Sequence, residues 1–268
     1  LDEVFISLMA YYMKRNRIEA AYFPYIIKKY RVIAHRSFYS LEGALLELLN
    51  EPSIYCRENA MQALYTTGDV DCIIKAIKTI DRSGLFYHRK LLSDGLLNFA
   101  GSGNTLGKKI VENFFDFSVG MQVTLLDYLR FSGSEYQKFA LSLLINEDLN
   151  DEIRYAAIRY LGKYPFSKAY EALCGFAEEN SEQKWEYAAI ASTALGSYPC
   201  ENTVHILKKN LYSRNWYVRL NSAASLKNLG ITYSELSDII DGNDRYASEI
   251  IRYCLQRDYS GEKEAAHI

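Results

Sequence analysis

Three observations predict an all-α fold, an α-α superhelix of antiparallel helix pairs stacked in series. DEIRYAAIRYLGKYP at Asp151–Pro165 returns as WEYAAIASTALGSYP at Trp185–Pro199, and more loosely as YVRLNSAASLKNLG at Tyr217–Gly230. Leu161-Gly162, Leu195-Gly196 and Leu229-Gly230 are 34 residues apart each time. Two sets of markers then keep a similar period along the chain. The late glycines Gly68, Gly101, Gly133, Gly162, Gly196 and Gly230 lie 33, 32, 29, 34 and 34 apart. The helix-start residues Arg57, Lys90, Gln122 and Arg154 step by 33, 32 and 32, and Arg219 follows 65 later, two units on. Finally, no strand-like alternation of any length interrupts the pattern. A fixed period with a repeated helical face means units that bury their apolar side only against their neighbours.

The repeated stretch itself shows why it is helical. Ile153, Ala156, Ala157, Tyr160, Leu161 and Tyr164 are spaced 3, 1, 3, 1, 3, one stripe of an α-helix. Asn150 or Asp151 can cap its start, because a short side-chain oxygen accepts from free first-turn N–H groups. Gly162 loosens the last turn and Pro165, with no N–H, stops it. The small pair Ala156-Ala157 lets a neighbouring helix approach closely.

Taken in order, residues 1–36 read as two aromatic-rich helices broken near Asn16 and Pro24, an N-terminal cap. Residues 37–257 read as the repeat region, about seven antiparallel helix pairs in one continuous domain. Leu41–Leu49 pairs with Ile54–Thr67, Val70–Ile80 with Phe86–Phe99, and Thr105–Phe117 with Val119–Phe131. Glu135–Ile145 pairs with Glu152–Lys163, Ser167–Glu179 with Glu182–Leu195, and Asn202–Tyr212 with Trp216–Leu229. Tyr233–Ile240, opened by a Thr232/Glu235 capping box, pairs with Arg245–Gln256. Residues 258–268 form a polar, fraying tail.

Composition narrows the function. Among 268 residues, 23 are tyrosine, and the net charge is −2 with a pI of about 6.2. That balance argues against a nucleic-acid partner, which draws on a basic surplus. Five dispersed cysteines, an odd number, give no disulfide or zinc framework, so a reducing, cytoplasmic compartment is expected. No run of about eighteen apolar residues could span a bilayer. Lys14, Arg15, Arg17, Lys28, Lys29, Arg31 and Arg36 face only one acidic residue, Glu19, between 14 and 36. The first residue is not methionine. The plain reading is a solvated face of the cap; the alternative is the cytosolic part of a protein anchored to a membrane upstream.

Helix pairs whose second helix opens with a Val-Arg-like step, carries small residues a turn later and closes Leu-Gly resemble HEAT repeats. The residues that carry this are Val218-Arg219, Ile153-Arg154 with Ala157 and Leu161-Gly162, and Arg57 with Ala60 and Leu64. The period is shorter than the usual HEAT or armadillo length of about 40–47, and is similar to compact HEAT-like repeats of bacterial scaffolds and phycobilin-lyase relatives. The resemblance covers roughly 41–257. It implies that the second helices line a concave face. The tetratricopeptide alternative places its glycine inside the first helix, whereas Gly162 and Gly196 sit just before a proline at a helix end.

Motifs for chemistry fail on inspection. GSGNTLGKK at Gly101–Lys109 misses the phosphate-loop spacing, and Lys109 stands where Ser or Thr is required. NEDLNDE at Asn146–Glu152 lacks the ligand alternation and glycine of a calcium loop and suits a turn with a helix cap. His35, His88, His205 and His267 are dispersed, with no second ligand a helical turn away. No metal, cofactor or catalytic set is expected.

What remains is a series of aromatic and basic residues near second-helix starts. Tyr55 with Arg57, Tyr87 with His88, Arg154 with Tyr155 and Arg159, Trp185 with Tyr187, and Trp216 with Arg214, Tyr217 and Arg219 would form a ladder along one groove. Tyr, Trp and Arg dominate interface hot spots because they bury area and still make polar contacts. The expected function is a non-enzymatic adaptor holding a protein or peptide in that groove. A second reading is an enzyme: some HEAT-like DNA glycosylases acting on alkylated bases resemble this chain, and Trp185, Trp216, Arg214 and Arg219 could serve one. The third is a lyase-like chaperone for a bilin, implied by the compact repeat alone.

Overall fold

The structure is a computed structural model that describes residues 2–34, 39–179 and 181–265, with side chains over 3–16, 18–33, 41–179 and 181–255. His35, Arg36 and His267 of the sequence reading lie outside the described residues. Among those described, every regular element is helical, and the chain forms two compact units, Leu1–Gly133 and Ser134–Ile268.

The first unit holds α1 (Asp2–Met13), α2 (Arg17–Lys29), α3 (Tyr39–Leu48), α4 (Ile54–Leu64), α5 (Val70–Ser83), α6 (Arg89–Leu96), α7 (Gly103–Glu112) and α8 (Val119–Ser132). The starts are capped as their sequence dictates: Asn16, Asp69, Ser102 and Ser118 accept from first-turn N–H groups of α2, α5, α7 and α8. Ser102 thus turns the Gly101–Lys109 stretch into a helix start. Helices α1 and α2, α3 and α4, and α7 and α8 pack as pairs, α2 packs on α4, and α6 on α8. The expected break at Pro24 does not occur, and α2 runs through it. Burial of Phe23 and Ile27 holds the helix. Asn59 of α4 also donates to the Ala21 carbonyl at 2.9 Å, next to the carbonyl that a proline at 24 leaves without its helical donor. Gly68 ends the α4 segment at φ +71°, and a Cβ on Gly101 would strike its carbonyl oxygen. Successive repeats meet there backbone to backbone, with Ala100 N–H bonded to Tyr65 C=O at 2.9 Å.

The second unit holds α9 (Gln137–Ile145), α10 (Asp151–Lys163), α11 (Tyr170–Ala177), α12 (Trp185–Leu195), α13 (Glu201–Asn210), α14 (Trp216–Asn228), α15 (Ser237–Ile240) and α16 (Arg245–Ala265). Asn150, not Asp151, caps α10, accepting from Glu152 N–H at 3.0 Å. Of the predicted stripe, Ile153, Ala156, Ala157, Tyr160 and Leu161 are buried and Tyr164, the C-cap residue, is half-buried. Thr232 and Glu235 close their box, N–H to carboxylate at 2.8 Å. The second helices α10, α12, α14 and α16 pack on one another in series. Gly162 sits against Ala194, and Gly196 against Ser225. These glycines therefore answer to close approach between layers more than to the ending of a helix.

Tyrosine does much of the joining. Tyr198 Oη donates to Leu161 C=O at 2.9 Å and accepts from Phe166 N–H at 3.0 Å. Tyr160 Oη accepts from Tyr136 N–H at 3.0 Å. A phenol is long enough to reach the next turn and polar enough to satisfy buried backbone there. Within each unit the packed helices after α1 and α2 make an all-α, helical-repeat fold among the described residues.

Candidate functional site

The polar residues at the second-helix starts have a structural task before any other. The carbonyls of a helix end and of the turn after it lack partners in the helical ladder, and each of these turns leads into the start of a second helix. Arg57 donates to the Glu51 and Pro52 carbonyls at 2.6 and 2.9 Å. Gln122 donates to Phe114 C=O at 3.1 Å, Arg154 to Leu144 C=O at 3.0 Å, and Arg219 to Ser213 C=O. The 32-residue marker is thus a series of staples. Lys90 departs from it, facing Asp94 at 3.9 Å on the surface.

Arg57, expected in the groove, is instead buried, and a third bond to Phe86 C=O at 2.7 Å ties it to the next repeat. Tyr55 is 73% exposed. Tyr87 is half-buried and donates to Glu58, whose other oxygen takes Gln62 Nε2 at 2.9 Å. Burial, then the Tyr65 phenol and Glu58, push the Tyr87 phenol well up. Tyr55, Arg57 and Tyr87 all belong to the first unit.

The second unit gathers most of the others. The Arg154 guanidinium lies 5.1 Å from both the Phe176 and Tyr187 rings, which stack at 4.7 Å and 18°. Tyr187 donates to Asp151 at 2.5 Å. Tyr155 and Tyr187 are both buried, edge-on to each other at 4.6 Å, so both support the surface that the half-buried Arg154 and Phe176 form. Burial pushes the Tyr155 phenol up to about 12. Arg159 is half-buried one turn further along α10.

One layer on, half-buried Trp185 stacks on Tyr217 at 5.3 Å and 19°, and Trp216 meets Tyr217 edge-on at 5.1 Å. Trp216 and Tyr217 are both more than half exposed. Arg219 pairs with Asp244 at 2.9 Å and lies 5.5 Å from the Tyr246 ring. Asp244 also caps α16 through Ala247 N–H at 2.9 Å; that bond, then Arg219, holds its carboxyl below the usual range.

Three clefts connect these groups. The first, about 520 Å³, lies between Arg154, Phe176, Glu179, Lys184 and Tyr187. The second, about 440 Å³, lies between Glu179, Trp185, Tyr212 and Arg214. The third, about 470 Å³, lies between Arg214, Trp216, Arg219, Tyr246 and Tyr253. Glu179 lines the first two and Arg214 the last two, so the three clefts follow one another as a furrow-like row past the starts of α10, α12, α14 and α16. Arg214 is almost fully exposed, 3.5 Å from Glu182.

Sequence reasoning missed Phe176, because it comes from a first helix, where no marker pointed. It also missed Tyr246 and Tyr253, although seven residues on a helix is two turns and puts both on one side. Among the described residues no group of three or more His, Cys, Asp and Glu is placed to hold a metal.

No family model and no curated protein matches the chain. Among solved structures, the chain is similar to an engineered protein from a structural genomics consortium, at 14% identity and a TM-score of 0.43, covering 95% of this chain and 78% of that one. It is also similar to a designed armadillo repeat protein, at 15% identity and a TM-score of 0.33, covering 83% and 98%.

Proposed function

We infer that this helical-repeat scaffold is a non-enzymatic cytoplasmic adaptor, and that the furrow of its second unit binds an extended segment of a partner protein. The observation that carries this is the row of clefts that holds Arg154 over Phe176 and Tyr187, then Trp185 stacked on Tyr217, then Trp216 with Tyr246 and Tyr253. Aromatic rings with fixed neighbours offer area at little entropic cost, and neighbouring guanidinium and carboxylate groups supply direction. Three linked clefts of similar size suit successive side chains of one peptide better than one small molecule. Of the groove residues, Arg154, Trp185, Trp216 and Arg219 make the surface, and Tyr155 backs it.

Selection from a displayed library of random linear peptides tests this. Peptides enriched on the wild-type chain should bind the Trp185→Ala, Trp216→Ala double variant at least about tenfold more weakly, the loss of one hot-spot residue or more. Enriched peptides that bind both proteins equally would place recognition elsewhere.

A further inference from the structure

We propose that the outer face of α1 and α2 lies on a membrane surface rich in anionic lipid. Helix α1 exposes Val4, Leu8 and Tyr11, and α2 exposes Ile18, Tyr22 and Tyr25. Each set is spaced 4 and then 3, one stripe of a helix. The other side of α2 is buried through Ala20, Ala21, Phe23 and Ile27, so the stripe is not a leftover of poor packing. Ile18, at 82% exposure, is the most exposed large apolar side chain described. The Tyr22 ring lies 6.4 Å from Tyr12 and 5.7 Å from Tyr25, joining the two helices into one aromatic surface.

Charge identifies what covers it. Lys14 and Arg15 stand exposed at the α1–α2 turn, and Lys28, Lys29 and Arg31 at the far end of α2. Glu19, the acidic side chain nearest the turn, is occupied by Arg15 at 3.9 Å and Asn16 at 2.6 Å. A second copy of the chain would set one basic rim against another, which like-charge repulsion disfavours. A nucleic-acid backbone has no use for Val4, Leu8 and Ile18. Aliphatic and tyrosine side chains flanked by lysine and arginine fit the headgroup boundary of an anionic leaflet, where rings and basic tips sit at the polar level. No helix among the described residues is long and apolar enough to cross a bilayer, so the contact is with its surface.

Co-sedimentation of the whole chain with phosphatidylcholine vesicles, with and without phosphatidylserine, is the test. Sedimentation is expected only with phosphatidylserine and should weaken as salt is raised. Lys28→Ala with Lys29→Ala should weaken it about twenty-five-fold, at about fivefold per basic residue, and Ile18→Glu with Tyr22→Glu should abolish it. All four positions are exposed, so circular dichroism should match wild type. Sedimentation that ignores phosphatidylserine, or is unchanged in both variants, overturns the proposal. So does a wild-type dimer in solution that Ile18→Glu dissolves, which would make the face a contact between copies.

Discussion

Gly162 of α10 lies so close to Ala194 of α12 that a Cβ at 162 would stand 2.9 Å from both the Cα and Cβ of Ala194. Neither atom can rotate away, so the layer spacing is set by the lack of a side chain at 162. The same contact recurs one repeat on, where a Cβ on Gly196 would meet Ser225 Oγ at 2.8 Å. Ala is favoured over Gly in a helix by about 1 kcal/mol, but overpacking costs about 1–3 kcal/mol, and here the clash is with backbone.

Gly162→Ala is therefore expected to destabilise the chain by about 1–2 kcal/mol net. Gly175→Ala, with nothing within 4 Å of its would-be Cβ, should be neutral or stabilising. Adding Ala194→Gly to Gly162→Ala should recover part of the loss. Urea denaturation of these three variants and of Ala194→Gly alone checks this. Strict additivity of the pair at 162 and 194 would mean the two helices do not meet there.

Arg57 and Tyr55 stand two residues apart and have opposite fates. Arg57→Ala strips three carbonyls of their charged donor and should cost about 3 kcal/mol, since bonds to charged groups contribute about 1.5–3 kcal/mol each before relaxation. Arg57→Lys should recover only part of this, having a point charge and no fork. Tyr55→Ala should stay within about 0.5 kcal/mol of wild type. Thermal melts of the three variants would show the order.

Burial pushes the Tyr155, Tyr160 and Tyr170 phenols from 10.0 to about 12. The native state thus holds these protons where the unfolded chain has released them, and unfolding releases protons. Their contribution is fully present below pH 10 and is lost as pH rises from about 10 through about 12. Tm should be steady into mild alkali and then fall, with part of the tyrosinate absorbance appearing together with loss of helix. Complete tyrosinate formation at pH 10 with the helices intact would contradict this.

The period was legible because the physics that sets it is local to few residues. Leu161-Gly162 and Leu195-Gly196 recur since each layer must let the next approach. Thr232 announces its box by chemistry alone, whereas Asn150 and Asp151 could both cap α10, and only the structure has Asn150 accepting from Glu152 N–H. The helix through Pro24 was not legible: the side chains that hold it, Phe23, Ile27 and Asn59, act through tertiary contact. Nor could the sequence sort the ladder into buried and exposed members. Arg57 and Arg154 occupy the same helix-start position, yet one is sealed by Phe86 C=O and the other lies over Phe176 and Tyr187. Tyr155 and Tyr187, both near helix starts, are both buried, whereas Trp216 and Tyr217 at the start of a later second helix are more than half exposed.

The chain's two tryptophans, Trp185 and Trp216, both stand in the furrow against Tyr217, so intrinsic fluorescence reads the site without a label. Titration with a library-selected peptide, exciting tryptophan alone, is the most direct measurement. The emission of both Trp185→Phe and Trp216→Phe single variants should shift on binding, with Tyr246→Ala weakening affinity by about tenfold as a hot-spot loss. Binding of the same peptide with no change in emission from either tryptophan, and no effect of Tyr246→Ala, would contradict the furrow as the place where this scaffold meets its partner.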